Sequence, residues 1–175
     1  MSAPNRPGLL VHRAGPLTTV QDLGRPGMGG TGVSTSGAAD RAAHALANRL
    51  VGNGPGAATL EVTLGGLEVE AERDLVVALT GAVLPGAPMH GTVRLRAGER
   101  IVCGSPATGL RTYLAVRGGI ATEPVVGSRS KDGTPFKPET SDQVEAGLRL
   151  VRENFRGSVS AFRIRRNNVA TTDPN

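Results

Sequence analysis

Aromatic and sulfur side chains are scarce in this sequence: tryptophan is absent, tyrosine and cysteine occur once each, and there are three phenylalanines. Without aromatic faces the stacking platforms of most single-strand nucleic-acid binders are missing. The single thiol, Cys103, forms neither an internal disulfide nor a multi-cysteine zinc site. Its neighbours in Arg-Ile-Val-Cys-Gly predict a strand and a buried, inert thiol. No apolar run approaches the roughly 18 to 20 residues of a membrane span, and Met1 to Pro7 lacks the apolar segment of a secretory signal. No membrane association and a cytoplasmic location are the expectation. Lysine is missing from the first 130 residues, and with it the GxxxxGK[ST] phosphate loop. Any ATP would be held by arginines and backbone amides, or by a partner chain.

What is present is glycine (25) and proline (12), too frequent for long helices and suited to short strands joined by turns. The length of 175 residues fits one domain by the prior of about 100 to 200 residues. The net charge of +5 is spread along the chain, with 12 basic and 9 acidic residues up to Ser130 and 8 and 6 beyond. Only Arg163-Ile164-Arg165-Arg166 clusters, so no nucleic-acid face is predicted. Every lysine and every phenylalanine lies beyond residue 130. This break separates a body, 1–130, from a tail, 131–175.

In the body, Leu9–Arg13 and Thr18–Gln21 read as strands around the turn Ala14-Gly15-Pro16. Leu23 to Gly37 holds six glycines and is loop. Ala38–Val51 is the one clear helix, with Ser36 as candidate cap, Asp40 at the positive end of its dipole and Gly52 as its stop. Leu46 and Leu50 predict the buried stripe, and Asp40, His44 and Asn48 a polar one able to face a cleft. Six further runs, Thr59–Leu64, Leu67–Ala71, Leu75–Leu79, Thr92–Arg96, Arg100–Cys103 and Arg111–Val116, predict antiparallel β-structure closed as a barrel or sandwich. In the tail, Val144, Leu148 and Val151 give Ser141–Asn154 a helical spacing, and the last twenty residues are expected to be frayed or disordered.

Gly27-Met28-Gly29-Gly30-Thr31-Gly32 satisfies GxGxxG, but Arg25-Pro26 precedes it where a dinucleotide site requires a strand. An anion held on its amides is the alternative use. His12, His44 and His90 have no metal-ligand spacing, so no metal is predicted. No GxSxG elbow surrounds Ser34, Ser36, Ser105 or Ser128. The chemically conspicuous group is Gln21, Asp22 and Arg25, at the mouth of the glycine loop. An arginine fork suits carboxylate or phosphate, and a nearby carboxylate suits a base. Alternatively, Asp22 and Arg25 form an ion pair that fixes the turn.

The run Gly15-Pro16-Leu17-Thr18-Thr19-Val20-Gln21-Asp22-Leu23-Gly24-Arg25-Pro26-Gly27 is followed by Ser36-Gly37-Ala38-Ala39-Asp40 and Ala47-Asn48-Arg49-Leu50-Val51-Gly52-Asn53. Then come Leu60-Glu61-Val62-Thr63-Leu64-Gly65-Gly66, Ala78-Leu79-Thr80-Gly81-Ala82, Arg111-Thr112-Tyr113-Leu114-Ala115-Val116-Arg117-Gly118-Gly119-Ile120 and Gly127-Ser128-Arg129-Ser130. In this order they resemble the allophanate hydrolase subunit 2 family, also called the biotin-dependent carboxyltransferase or 5-oxoprolinase subunit family, over residues 9–130. Family members extend to nearly twice this length, in two related cyclophilin-like halves. The chain is therefore expected to be a truncated N-terminal half, not active alone.

The resemblance implies a mainly antiparallel, cyclophilin-like barrel with one helix. It also implies a subunit of an ATP-dependent amide or lactam hydrolase complex of the 5-oxoprolinase type. Its partners would be a cyclophilin-like subunit of the allophanate hydrolase subunit 1 type and a lyase-like subunit, with ATP shared among them. The alternatives are carboxyl transfer to urea, with biotin only as the carrier of the carboxyl group, and a non-catalytic regulatory module. The positions it singles out are Gln21, Asp22, Arg25, Asp40, Asn48, Glu61 and Arg111. Arg25 would bind carboxylate or phosphoryl oxygen, with Arg111 as a second anion contact. Asp22 or Asp40 would position or deprotonate the amide nitrogen, Gln21 and Asn48 would bond the carbonyl, and Glu61 would line the substrate site.

Overall fold

The computed structural model describes residues 8–27, 30, 32, 34–130, 140–152, 155–167 and 171–172. Met1 to Pro7 and Met28, Gly29, Thr31 and Val33 of the GxGxxG segment and its flank lie outside the described residues. The chain runs β1 (Leu9–Ala14), β2 (Leu17–Gln21), α1 (Arg41–Val51), β3 (Thr59–Thr63), β4 (Leu67–Ala71), β5 (Leu75–Gly81), β6 (Thr92–Leu95), β7 (Arg100–Val102) and β8 (Arg111–Val116). It continues through β9 (Ile120–Ala121), β10 (Thr140–Arg152), β11 (Phe155–Asn167) and β12 (Thr171–Thr172). All eight strands expected in the body are found. Alternating β-branched and apolar residues between glycine or proline turns can pair on both edges and bury at least one face.

Two sheets carry the body. One is ordered β1-β4-β7 and the other β2-β3-β8-β5-β6, and all their named strand pairs are antiparallel. Leu9, Val11, Leu67 and Val69 pack with Leu60, Val62, Leu79, Leu114 and Val116 in the larger core. A second core uses the other face of the five-stranded sheet, where Ala78, Tyr113 and Ala115 meet Ala47 and Val51 of α1. β8 serves both: Leu114 and Val116 belong to the first core, Tyr113 and Ala115 to the second. The small side chains let the helix approach the sheet closely.

Three expectations are corrected. The sheets do not close into a barrel, because β2 and β6 end the five-stranded sheet without pairing to each other. Strand periodicity reports which faces are buried, whereas closure depends on edges that periodicity does not reveal. The helix begins at Arg41 and is capped by Asp40, whose Oδ1 accepts the Ala43 amide at 3.0 Å. Ser36 cannot cap it: its φ of 50° and the 94° of Gly37 are left-handed, and the Ala38 amide bonds to the Asp22 carbonyl instead. The buried stripe is His44, Ala47, Asn48 and Val51, not Leu46 and Leu50, which are half-buried. Gly52, at φ 78°, ends the helix as expected.

The tail also departs from expectation. Thr140–Arg152 is a strand, paired antiparallel with Phe155–Asn167 from Thr140↔Asn167 to Arg152↔Phe155. The helical reading of Ser141–Asn154 used Val144, Leu148 and Val151. The same stretch carries a two-residue alternation at Val144, Ala146, Leu148 and Leu150, and Gly147 weakens a helix at its centre. All of strand β11 but Phe155, and the short β12, which pairs with β9, fall in the twenty residues expected to be frayed. Residues 168–170 and 173–175 lie outside the described residues. No described helix is long and apolar enough to cross a membrane.

One glycine tests the packing between the sheets. A Cβ on Gly65, at φ 74°, would stand 2.1 Å from the Gly104 carbonyl oxygen, whereas one on Gly98, at φ 87°, would meet nothing within 4 Å. Both substitutions incur the left-handed strain, but only the first also forces backbone apart. Gly98→Ala should lower the unfolding free energy by about 1 kcal/mol and Gly65→Ala by about 3 kcal/mol or more, measured by urea denaturation.

Candidate functional site

Asp22 follows β2 directly and is buried. Its Oδ1 accepts from the Gly24 amide at 2.7 Å, the Ser128 hydroxyl at 2.7 Å and the Ser130 hydroxyl at 2.6 Å; Oδ2 accepts from the Arg129 amide at 2.6 Å. Burial by itself would raise this carboxyl, but those hydrogen bonds outweigh it and hold it below its ordinary value of 3.8. A carboxylate so engaged is a weak base. It ties Ser128-Arg129-Ser130 to the end of β2.

Arg25 is also buried, and its guanidinium bridges two segments. Nε donates to the Ser34 carbonyl at 3.1 Å, Nη1 to the Val125 carbonyl at 2.9 Å and Nη2 to the Ser36 hydroxyl at 3.1 Å. Gln21 Nε2 donates to Thr19 Oγ1 at 3.0 Å. Asp22 and Arg25 thus brace the loop, while Gln21 bonds to its neighbour within β2.

Asn48 and His44 sit on the buried face of α1, both fully inaccessible. Asn48 Nδ2 donates to the Ala57 carbonyl at 2.8 Å, and its Oδ1 accepts from Asn53 Nδ2 at 3.0 Å. His44 Nε2 lies 3.1 Å from the Pro55 carbonyl and 3.3 Å from Asn48 Nδ2, and Nδ1 lies 3.0 Å from Thr59 Oγ1. Burial keeps this imidazole below its usual pKa, hence neutral near pH 7, edge-on to the Tyr113 ring at 6.0 Å. His44 and Asn48 of the polar stripe therefore face the interior and lock α1 to the Pro55–Thr59 segment, whereas Asp40 is exposed.

The remaining residues converge where α1 begins. Glu61 Oε2 accepts from the Tyr113 hydroxyl at 2.7 Å and the Ala39 amide at 2.9 Å, and Oε1 accepts Arg111 Nε at 3.1 Å. Tyr113 in turn accepts the Asp40 amide at 2.7 Å. Burial, and then Glu61 itself, push the Tyr113 phenol well above its ordinary pKa, so it stays a donor. Arg111 and Asp40 line a cleft of about 240 Å³ together with Ala39, Ala82, Gly109 and Leu110. Asp40 Oδ1 caps the helix, and Oδ2 has no hydrogen-bond partner among the described residues. The Arg111 side chain is 37% exposed, held by one edge against Glu61. This cleft presents an accessible carboxylate beside an oriented guanidinium, at the positive end of a helix.

Tyr113, Ser128 and Ser130 were not singled out in the sequence. The available signal was Glu61 in the apolar Thr-Leu-Glu-Val-Thr strand, since a buried acid requires donors, and the one tyrosine lies in another buried strand. Cys103 is buried, its thiol pushed up to about 11 by desolvation, as expected of an inert core residue. Among the described residues no three His, Cys, Asp or Glu side chains gather as a metal site.

The model of the carboxyltransferase domain, subdomain A and B, matches residues 31–166. The chain belongs to this family. The match continues past residue 130, where the resemblance read from the sequence stops. Among relatives, the carboxyltransferase-domain chain is 46% identical over 130 residues to a 5-oxoprolinase subunit of Escherichia coli (strain K12), covering 71% of this chain and 42% of that protein. It is 37% identical over 127 residues to a urea amidolyase of Lachancea kluyveri, covering 69% of this chain and 7% of that one. The crystal structure of the Kluyveromyces lactis urea carboxylase superposes with a TM-score of 0.69 at 33% identity, over 74% of this chain and 12% of that one. The chain thus spans about two fifths of the 5-oxoprolinase subunit it matches and a small part of the larger enzymes.

The Asp22 linkage sets a pH dependence. Its folded-state pKa is depressed, so its contribution to stability is complete above the unfolded value and is lost as pH falls through the lower folded value. Asp22→Asn should lower the unfolding free energy by about 3 kcal/mol at pH 7. The gap to the unaltered protein should hold down to about pH 5 and shrink below the ordinary value of 3.8, in urea titrations across that range.

Proposed function

We propose that this chain contributes the amide-binding cleft of a 5-oxoprolinase-type complex that opens a lactam at the expense of ATP. The observation that carries the reading is the pairing of Asp40 and Arg111 on one cleft, with Glu61 fixing Arg111 and Tyr113 joining Glu61 to the Asp40 amide. A lactam that also bears a carboxylate presents an N–H donor and an anion. Asp40 Oδ2 accepts the N–H, and the open edge of Arg111 holds the carboxylate. Asp22 and Arg25 act one step away, holding Ser34, Ser36 and Ser128–Ser130 in place, and Gln21 and Asn48 brace the same framework.

A cleft of about 240 Å³ suits a small ring. Drug-sized ligands fill about 300 to 1,000 Å³. In this reading ATP is held at a site shared with partner subunits, a second cyclophilin-like subunit and a lyase-like one. In this reading the body ends near residue 130. Carboxyl transfer to a urea-like substrate is the second reading, favoured by the family match and the likeness to urea amidolyase. In it biotin arrives as a carrier of the carboxyl group, and the same two residues orient the acceptor amide.

The test uses the chain assembled with its partner subunits and follows ATP-dependent opening of 5-oxoproline. Asp40→Asn keeps an equally good helix cap, so it removes charge without removing the helix. Arg111→Ala and Asp40→Asn should each lower kcat/KM about 100-fold with unchanged circular dichroism. Turnover at the unaltered rate in both variants rejects the cleft assignment. Urea carboxylation in place of lactam opening selects the second reading.

A further inference from the structure

The helix-bearing face of the five-stranded sheet is only partly covered. The core on that face, formed with α1, takes Val76 and Ala78 from β5 and Tyr113 and Ala115 from β8. β6 lies beyond, as the last strand. In β6, Val93 and Leu95 pair with Val77 and Leu75 and turn toward the larger core. The alternate residues, Thr92 and Arg94, therefore share the helix-side face with Val76, and Arg96 lies one residue past the end of the strand, in the turn closed by Glu99. Here a groove of about 710 Å³ runs over Val76 and is edged by four arginines, Arg73, Arg94, Arg96 and Arg117.

The charge in this groove is unbalanced. Its two carboxylates are turned to backbone: Asp74 Oδ1 accepts the Ala97 amide at 3.0 Å and Glu99 Oε2 the Arg96 amide at 2.8 Å. Arg117 Nε donates to the Val51 carbonyl at the end of α1. Arg73, Arg94 and Arg96 make no side-chain hydrogen bond or ion pair among the described residues. On the β1-β4-β7 sheet the same chain does the opposite, pairing Arg13 and Arg100 with Glu68 and Glu70. Beside the arginines, the outer edge of β6 carries backbone groups that no described strand pairs.

We infer that β6 docks an extended acidic segment of another polypeptide, which adds as a strand to the free edge and sets alternate carboxylates against Arg94 and Arg96. Residues two apart on a strand are about 6.8 Å apart, so one carboxylate of the added strand meets Arg94 within β6 and the next on the same face comes within reach of Arg96, just past the strand end. The edge amides and carbonyls provide affinity, and the arginines select acidic side chains and register. A charged edge that merely keeps copies of the chain from pairing would bind no such segment with a defined backbone register.

The experiment measures anisotropy of a fluorescein-labelled peptide of about ten residues alternating Glu and Thr, added to the full chain. The expected result is binding that weakens with salt. It should fall at least about tenfold in Arg94→Glu/Arg96→Glu, and equally when alternate peptide amides on the pairing edge are N-methylated. Arg13→Glu/Arg100→Glu, with the same net charge change on the other sheet, should stay within about twofold. The inference is overturned by absence of binding, by equal losses in the two double variants, or by unaltered binding of the N-methylated peptide. It is also overturned if inorganic triphosphate binds the groove and the peptide does not. Circular dichroism confirms that each variant folds; Arg94→Gln/Arg96→Gln replaces any that does not and should show a smaller loss in the same direction.

Discussion

A carboxylate taken out of water must be saturated with donors, and in this protein two buried carboxylates, Asp22 and Glu61, organise the segments around them. Each draws donors from places distant in sequence. Asp22 gathers Gly24, Ser128, Arg129 and Ser130, and Glu61 gathers Ala39, Arg111 and Tyr113. Removing either acid would leave several buried donors unpaired at once, which is costlier than losing any one hydrogen bond. The course of the loop after β2, the starting point of α1 and the orientation of Arg111 all follow from these two demands.

The same demand separates framework from cleft. The donors around Asp22 come from the loop after β2 and from Ser128–Ser130, and this cluster is interior. Where the chain of hydrogen bonds from Glu61 reaches the surface, it ends in groups with atoms to spare, Asp40 Oδ2 and the outer edge of Arg111. A rigid inner network holding a few open polar groups at a cleft is the arrangement that preorganised binding requires. His44 and Asn48 extend the framework along the buried face of the helix, which is why a polar stripe can lie against a β-sheet without destabilising it.

Much of this was legible in the residues. Alternation between glycine and proline turns marked each body strand, and the alanine-rich run ending at Gly52 marked the helix. The helix start was misplaced because Ser36 and Asp40 are both cap-forming residues; the left-handed backbone at Ser36 and Gly37, imposed by packing against Leu23 and Gly24, decides between them. The buried stripe was misassigned because hydrophobicity ranks Leu46 and Leu50 above His44 and Asn48, yet the latter find partners in Pro55, Ala57 and Thr59. In the tail, Val144 to Val151 satisfied two periodicities, and pairing with Phe155–Asn167 favours the strand.

The sequence by itself determined the eight longer strands and the helix of the body, the inert thiol and the family, since these depend on local periodicity and on ordered motifs. Tertiary structure decided which polar residues face inward, where the sheets end, and which of the candidate residues meet at a cleft. The physical reason is that hydrogen-bond saturation is a property of residues far apart in the chain. Asp22 and Asp40 look equally available in a sequence. Asp22 acquires four donors, largely from a segment more than a hundred positions away, while Asp40 caps a helix with one oxygen and keeps the other open.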